Sequence, residues 1–303
     1  MRLADIHNLL KQSLTGLYPD REIESFTRLV SEHISGLNWL QIRINYSSEL
    51  DAGQEEELQK IVERLQRSEP IQYILGETEF YGLKMRVRPG VLIPRGETEE
   101  LVEWVVRDQE ERIKNKDQRG GSEGPFSVLD IGCGSGAIAI ALAKHLPDAE
   151  VFAVDASPDA LSVTRENALL NGIRINVLKW DILEPASKPS DPVSGRPVSL
   201  PPLSLIVSNP PYIPRRERDS MDRKVVDYEP DIALFVSDQD PLIFYRGIAR
   251  LAEAGLKPSG SVYVEVHHPI AFETKDLLQN YFKRVELLQD IHGRNRMIRA
   301  TNG

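Results

Sequence analysis

Two short segments of this sequence combine residue types that can carry out chemistry on a bound ligand. The first is a glycine-rich segment, Gly132–Gly136 (GCGSG), which lies between the apolar run SVLDI and an alanine-rich run that predicts a helix. Glycines in such a turn let the backbone approach a ligand closely, and the N–H groups of the helix N-terminus stay available for hydrogen bonding. The turn therefore predicts a binding site, although a tight turn without a ligand has the same composition.

A carboxylate follows this turn at the end of the next apolar run. The run, VFAVD, ends in Asp155, and a carboxylate in this place can accept hydrogen bonds from both ribose hydroxyls of an adenosine-type nucleotide. Spacing alone permits a dinucleotide, because Gly132, Gly134 and Ala137 satisfy the pattern G-x-G-x-x-A. Asp130 favours a cationic ligand such as the amino and sulfonium groups of S-adenosylmethionine, because a carboxylate repels a pyrophosphate.

The third apolar run leads into Trp180, Asp181 and Ile182. Asp181 can accept a hydrogen bond from an adenine amino group, while Ile182 or Trp180 flanks the ring. The alternative is that Asp181 only caps the turn that follows it.

The second segment with chemical potential is Asn209, Pro210, Pro211 and Tyr212, which follows the apolar run LSLIVS. Strand carboxyl ends face the ligand crevice of an open α/β sheet, so we expect this tetrapeptide beside the nucleotide. The Asn209 side-chain oxygen and the Pro210 carbonyl are two acceptors on a rigid frame, able to hold both hydrogens of a planar NH₂ group on which Tyr212 stacks. The segment therefore predicts methyl transfer to an amide or aromatic amine, a reaction that depends on positioning.

The elements that must position these residues fall into three regions. Residues 1–69 have helical periodicity and predict a small helical domain. Residues 70–94 mix β-branched and aromatic residues with glycines, and predict a β-hairpin that links two domains. Residues 95–303 alternate short apolar runs with helical stretches, which indicates an α/β domain with a parallel sheet. The expected strands are SVLDI, VFAVD, INVLKW, LSLIVS, SVYVEV, VELLQ and RMIRA.

Two polar segments interrupt this last region. We interpret the charged run 107–124 as a surface linker or helix extension, and the proline-rich run 184–202 as an unstructured surface insertion. Neither is assigned a chemical role.

Composition limits the class of protein. The net charge is −9, which argues against a protein whose main task is to bind phosphate backbones. The single cysteine excludes an internal disulfide, and no apolar run resembles a membrane span or a signal peptide. We therefore expect a cytoplasmic monomer that binds neither membranes nor nucleic acid directly.

Together these segments resemble the class I S-adenosylmethionine-dependent methyltransferases and, within them, the release factor glutamine N5-methyltransferase family, also called PrmC or HemK. The resemblance covers nearly the whole chain. Besides the two segments above, it is carried by Pro70–Val102, Tyr228–Pro230 (YEP) and Asp290–Arg296 (DIHGRNR). The Asn-Pro-Pro-Tyr motif is shared with enzymes that methylate amino groups of DNA and RNA, so Pro70–Val102 is the more specific part.

The resemblance implies a Rossmann-like, seven-stranded methyltransferase domain with a small helical N-terminal domain that helps to bind a protein substrate. It also implies S-adenosyl-L-methionine as cofactor and, as partners, class I peptide chain release factors. Methylation would take place on the side-chain amide of the glutamine in their Gly-Gly-Gln motif.

The resemblance also assigns residue roles. The implied cofactor-binding residues are Gly132, Cys133, Gly134, Ser135, Gly136, Asp155, Asp181, Ile182 and Asn209. The implied catalytic residues are Asn209, Pro210 and Tyr212, and Pro211 joins these three in the glutamine pocket. Matching family positions without an assigned role are Pro94, Arg95, Glu97 and Thr98.

The chain departs from the family pattern after its fifth predicted strand. Relatives carry E-I-G-x-x-Q where this chain has Glu265–Ile270 (EVHHPI). His267 and His268 do not indicate a metal site, because neighbours on a strand point to opposite faces. Cys133 does not indicate a nucleophile, since direct methyl transfer needs no covalent intermediate.

Three alternatives stay open on the sequence. The same motifs suit a methyltransferase that acts on an exocyclic amine of a nucleic-acid base. The glycine-rich turn also suits an NAD-dependent oxidoreductase, and a degenerate methyltransferase fold can serve as a binding scaffold. The cluster Arg215, Arg216 and Arg218 is expected to be a solvated run of charge that can contact an acidic partner.

Overall fold

Helical periodicity in the first third of the sequence produces short amphipathic helices. The computed structural model describes residues 1–116, 125–184 and 187–302. Its α-helices, in chain order, are α1 (Ile6–Leu14), α2 (Asp20–Ser35), α3 (Trp39–Ile44), α4 (Ala52–Gln66), α5 (Ile71–Leu75), α6 (Gly96–Lys116), α7 (Ala137–His145), α8 (Pro158–Leu170), α9 (Arg223–Val226), α10 (Asp231–Leu234), α11 (Ile243–Gly255) and α12 (Ala271–Gln279).

The apolar runs form the strands. In chain order these are β1 (Glu77–Phe80), β2 (Leu83–Arg86), β3 (Phe126–Ile131), β4 (Ala149–Asp155), β5 (Asn176–Lys179), β6 (Leu203–Ser208), β7 (Ile213–Pro214), β8 (Phe235–Val236), β9 (Leu256–Glu265), β10 (Arg284–Gln289) and β11 (Asn295–Thr301). All seven strands expected after residue 95 are present within one sheet.

The seven-stranded sheet has the order β10-β11-β9-β6-β3-β4-β5. Strands β9, β6, β3, β4 and β5 run parallel, and β11 runs antiparallel to both β9 and β10. Buried side chains of β3 alternate between two hydrophobic layers: Val128 faces α6 and α7, and Leu129 faces α11. Helices thus cover both faces, and the predicted Rossmann-like α/β fold is confirmed.

Strand order places the ligand crevice. The order reverses between β3 and β6, and open α/β sheets bind ligands at the carboxyl ends of such a pair. Ile131 and Ser208 are register partners at these ends, and the Ser208 hydroxyl donates to the Ile131 carbonyl at 2.7 Å. The glycine-rich turn after β3 and the Asn-Pro-Pro-Tyr segment after β6 therefore begin side by side.

The chain forms two compact units. The smaller contains Met1–Glu77 together with Asp222–Tyr228, and the larger contains Thr78–Met221 and Glu229–Gly303. The core of the smaller unit is built from apolar residues of α1, α2 and α4, among them Leu10, Val30 and Leu58. The domain boundaries drawn from the sequence, after residues 69 and 94, stay a prediction.

The predicted β-hairpin is only partly correct. Strands β1 and β2 pair as a two-stranded sheet, but Ile71–Leu75 is a helix. Its β-branched residues suggested a strand, whereas Pro70 precedes the first turn and Gly76 ends the helix in the left-handed conformation. Helix-ending residues at both boundaries outweigh the weak strand preference of a five-residue segment.

The first polar segment begins as the helix extension that was one of its two expected forms. Helix α6 extends through the charged run to Lys116, and residues 117–124 lie outside the described residues, as do 185 and 186. Residues 187–202 form neither helix nor strand, as expected for a surface insertion. They are nevertheless bonded to the edge strand, because Ser190 forms isolated bridges with Lys179 of β5 and with Pro197.

Candidate active site

The glycine-rich turn is held against the end of β4. The N–H groups of Gly132 and Cys133 both donate to the Val154 carbonyl, at 2.9 and 3.0 Å. The Thr164 hydroxyl of α8 donates to the Gly134 carbonyl at 3.0 Å. These hydrogen bonds fix the backbone of the turn before any ligand binds.

All three glycines of the turn have backbone angles that favour glycine, with φ +70° at Gly132. Gly134 has φ +55° and Gly136 has φ +79°. A Cβ built on Gly134 would meet no atom within 4 Å, whereas one on Gly136 would lie 2.8 Å from Thr164 Cγ2. The first position therefore borders open space, and the second allows close packing of the turn on α8.

Asp130 lies fully buried beneath the turn. Its Oδ2 accepts a hydrogen bond from the Ala139 N–H of α7 at 3.1 Å, and its Oδ1 has no partner within the described part of the chain. Burial, together with the nearby negative charge of Asp155, raises the pKa of Asp130 to about 7. An uncompensated carboxylate in this place is stabilised by a positive charge above it.

Asp155 stands at the end of β4, as the sequence predicted. Its oxygens accept hydrogen bonds from the backbone N–H groups of Gly134, at 2.9 Å, and Ser157, at 2.8 Å. Burial raises the pKa of Asp155. Asp181 is exposed and accepts from the Leu183 N–H at 2.9 Å, so it caps its turn and still lines the same cavity.

A cavity of about 290 Å³ lies at these strand ends. Its walls bring together the predicted cofactor-binding residues Gly132, Cys133, Gly134, Ser135, Asp155, Asp181, Ile182 and Asn209. Gly136 is not part of the wall and acts through its packing on α8. Pro94, Arg95 and Thr98, which match family positions without an assigned role, also line the cavity, whereas Glu97 does not.

The Asn-Pro-Pro-Tyr segment divides between the cavity and the protein interior. Asn209, Pro210 and Pro211 line the cavity, but Tyr212 does not. The Tyr212 hydroxyl donates to Glu265 Oε1 at 2.9 Å, and its ring stacks on the His267 ring with centroids 5.7 Å apart. Its role in substrate binding stays a prediction.

Glu265 is a buried carboxylate that sequence reasoning passed over. It ends β9 and accepts hydrogen bonds from Thr98, at 2.6 Å, and from Tyr212. Thr98 in turn accepts from Asn209 Nδ2 at 3.0 Å. The sequence signal for Glu265 was a carboxylate near the end of the apolar run SVYVEV, at the start of the segment that departs from the family pattern.

The residues that the sequence analysis set aside have ordinary structural partners. His267 bonds to Glu217 at 2.8 Å. Cys133 Sγ lies 3.4 Å from Thr164 Oγ1, and burial raises the pKa of this thiol well above its usual value. Arg218 pairs with Asp231 at 2.7 Å, so the arginine cluster is partly neutralised within the chain.

No group of three or more His, Cys, Asp or Glu side chains is placed to hold a metal ion in residues 1–116, 125–184 and 187–302. In the same part of the chain, no helix has the length and apolar character needed to cross a membrane.

Comparison with known proteins identifies the family. The chain is 39% identical to the release factor glutamine methyltransferase of Flavobacterium psychrophilum, over 99% of each protein. It is 38% identical to that of Bacteroides thetaiotaomicron, over 96% of this chain and 97% of the relative. Against the Streptococcus pneumoniae protein the identity is 35%, over 100% and 99%. This chain belongs to the release factor glutamine methyltransferase family.

Two family models match separate parts of the chain. Residues 7–76 match the PrmC N-terminal domain, and residues 122–226 match the methyltransferase small domain. The first match covers the helices α1 to α5, and the second contains the glycine-rich turn and the Asn-Pro-Pro-Tyr segment. Membership of a methyltransferase family removes the oxidoreductase alternative.

The cavity suits the S-adenosylmethionine used by class I methyltransferases. Asp130 lies behind the cavity wall, and the negative charge of its unpartnered carboxylate oxygen favours a nearby ligand with two positively charged groups. Gly134 leaves open the space that a side chain would fill. Asp155 stands where a ribose is expected, and Ile182 offers an apolar surface to an adenine ring.

Proposed function

We propose that this chain transfers the methyl group of S-adenosylmethionine to the N5 amide nitrogen of the glutamine in the Gly-Gly-Gln motif of class I peptide chain release factors. The observation that carries this proposal is the orientation of Asn209. Its nitrogen is hydrogen-bonded to Thr98, and its Oδ1 has no partner in the described ranges. A carbonyl oxygen at the cavity wall is an acceptor for a substrate NH₂ group.

The chemistry requires this acceptor. An amide nitrogen is a poor nucleophile because its lone pair is delocalised into the carbonyl group. Asn209 Oδ1 and the Pro210 carbonyl accept its two hydrogens and hold its nitrogen toward the sulfonium methyl, which the cofactor supplies as an electrophile. The nitrogen–carbon bond forms as the carbon–sulfur bond breaks, and one amide proton is lost to solvent.

Two observations favour a protein over a nucleic acid as the substrate. The relatives named above carry release factor methylation in their names, and the net charge of −9 does not favour a nucleic acid. In this proposal the helical unit helps to hold the release factor, and the enzyme acts as a cytoplasmic monomer without direct contact to nucleic acid.

The test is transfer of labelled methyl groups from S-adenosylmethionine to purified release factor. The matched control is a release factor whose Gly-Gly-Gln glutamine is replaced, and bulk DNA and RNA are assayed in parallel. Label on the intact release factor alone is the expected result. Label on nucleic acid would show that the enzyme methylates bases instead. Equal label on the intact release factor and on the variant without the glutamine would show that another residue of the release factor is methylated.

A further inference from the structure

We propose that Thr98 and Glu265 are positioning residues that fix which way the Asn209 amide faces. This inference rests on the proposed function, because it concerns how Asn209 receives the substrate amide. The two residues are separated by 167 positions in the sequence and meet through a hydrogen bond of 2.6 Å. Neither has a role in the assignments made above.

The number of available protons sets the direction of the hydrogen bonds around Thr98. A threonine hydroxyl has one proton to donate, and a carboxylate can only accept. Thr98 donates its proton to Glu265 Oε2, so its oxygen is left as an acceptor toward Asn209. Asn209 must therefore turn its NH₂ group to Thr98 and its carbonyl oxygen to the cavity.

The contacts of Glu265 favour its charged, accepting form. Burial raises the pKa of this carboxyl overall, and the hydrogen bonds from Thr98 and Tyr212, which the charged form accepts, offset part of the rise together with the positive charge of Arg296. One hydroxyl donor serves each carboxylate oxygen, and Arg296 itself pairs with Asp290 at 3.3 Å. With a hydroxyl donor on each of its oxygens, Glu265 acts as the acceptor, and Thr98 keeps its proton directed toward it.

Burial and backbone pairing hold Thr98 and Glu265 rigidly in place. Glu265 is 2% exposed and Thr98 is 4% exposed. The Tyr245 hydroxyl donates to the Glu265 backbone carbonyl at 3.1 Å, and Val264, one residue earlier, is the register partner of Ser208. Glu265 ends β9, and Asn209 directly follows β6, which pairs with β9. The hydrogen-bonded network is therefore anchored on two neighbouring strands.

A reversed Asn209 would present its NH₂ group to the NH₂ group of the substrate. Two donors cannot form a hydrogen bond, so the substrate nitrogen would lose an acceptor in the ground state and in the transition state. The hydroxyl–carboxylate pair therefore selects the catalytically competent orientation of an amide whose two ends differ little in size.

The decisive experiment compares Thr98→Val with Thr98→Ser. Valine has the shape of threonine without the hydroxyl, whereas serine keeps it. We expect Thr98→Val to lower kcat for release factor methylation about 10- to 100-fold, as for loss of an orienting group. The KM for S-adenosylmethionine should stay within about twofold, and Thr98→Ser should restore most of kcat.

A second readout needs no substrate. In the free protein labelled with ¹⁵N, one side-chain amide proton of Asn209 should be hydrogen-bonded and protected from exchange with water. Thr98→Val should abolish this protection and Thr98→Ser should keep it. Glu265→Gln should also weaken it, because a glutamine amide offers one acceptor and one donor in place of two acceptors.

The outcomes separate the two proposals. A wild-type enzyme that fails to methylate the glutamine overturns the proposed function, while the protection pattern of Asn209 still decides this inference. Equal kcat values for Thr98→Val and Thr98→Ser, or equal protection of Asn209 in both, overturn the inference and leave the proposed function standing.

Discussion

Asp130 shows how a single buried group can link cofactor binding to pH. In the free protein its pKa of about 7, raised by burial, leaves it partly protonated near neutral pH. A bound cation favours the charged carboxylate, so the pKa falls when the cofactor binds. Binding and proton release are therefore coupled.

We predict that wild-type affinity for S-adenosylmethionine falls as the pH drops below about 7. Below this pH a proton must leave Asp130 before the carboxylate can serve the ligand, so the dissociation constant rises by at most about tenfold per pH unit. Above it, Asp130 is already ionised and its contribution levels off. Isothermal titration between about pH 6 and pH 8 measures the effect.

The Asp130→Asn variant is the control for this prediction, because the ligand's own amino group titrates equally in both proteins. The variant should bind more weakly at high pH and show a smaller dependence on pH. An equal dependence in the two proteins would contradict the role of Asp130.

Two alanine substitutions in the glycine-rich turn should separate binding from stability. A Cβ on Gly134 enters open space at the cavity, so Gly134→Ala should weaken cofactor binding about tenfold and lower the free energy of unfolding by only about 1–2 kcal/mol. A Cβ on Gly136 would lie 2.8 Å from Thr164 Cγ2, so Gly136→Ala should cost about 2–4 kcal/mol.

Urea unfolding and isothermal titration of both glycine variants check this pair of expectations. Normal cofactor affinity of Gly134→Ala would show that this side of the turn does not face the ligand.

The sequence predicted the residues that line the cavity better than those that orient them. Asp155 and Asn209 follow apolar runs, and parallel strands place such residues at one edge. The bond from Thr98 to Glu265 joins the first turn of α6 to the end of β9. Only the strand order and the packing of α6 bring these residues together, and neither can be read from local spacing.

Among the elements, α8 joins parts of the larger unit through one side chain. Asn167 is fully buried, and its Nδ2 donates to the carbonyls of Arg86, at 3.0 Å, and Ser135, at 2.9 Å. Its Oδ1 accepts from the Arg86 N–H at 2.6 Å. Strand β2 and the glycine-rich turn are thereby fastened to the same helix.

Asn167→Ala should lower the free energy of unfolding by about 2–4 kcal/mol, because backbone groups of two elements lose their partners. Asn171→Ala is the matched control four residues later, because the Asn171 amide is less buried and only donates, to the Lys84 and Asn167 carbonyls, both at 2.9 Å. Chemical denaturation measures the free energy of unfolding of both variants. An equal decrease in the two would show that the buried Asn167 hydrogen bonds stabilise the fold no more than those of Asn171.

Element prediction worked where apolar runs were long and buried. Strand β6 is buried along its whole length and was recognised from LSLIVS. The helix Ile71–Leu75 was missed because its strand-favouring composition conflicts with the residues that end it. Residues 187–202 have the irregular backbone that their proline content predicts, but proline content does not indicate that Ser190 bridges to the edge strand β5.

At the scale of the molecule, the helical unit is completed by a segment from far along the chain. Asp222–Tyr228 packs with residues 1–77. Lys224 Nζ lies 2.6 Å from Glu22 Oε1 and 4.2 Å from the centroid of the Tyr18 ring, and the Tyr228 hydroxyl donates to the Arg67 carbonyl at 2.8 Å.

Lys224→Met should remove an ion pair and a cation–π contact, and lower the opening free energy of α2 by about 1 kcal/mol. Hydrogen exchange of the α2 backbone amides measures this opening. Arg223→Met, whose side chain is 88% exposed, should change it little. Faster exchange in the Arg223 variant than in the Lys224 variant would contradict the expectation.

The same segment has a consequence for biosynthesis. The ribosome releases residues 1–77 first, but Asp222–Tyr228 emerges only after most of the larger unit has been translated. At about 5–20 residues per second, this interval is of the order of ten seconds. A nascent chain that stalls before residue 222 therefore carries an unfinished helical unit, which chaperones and proteases encounter before the last of its contacts can form.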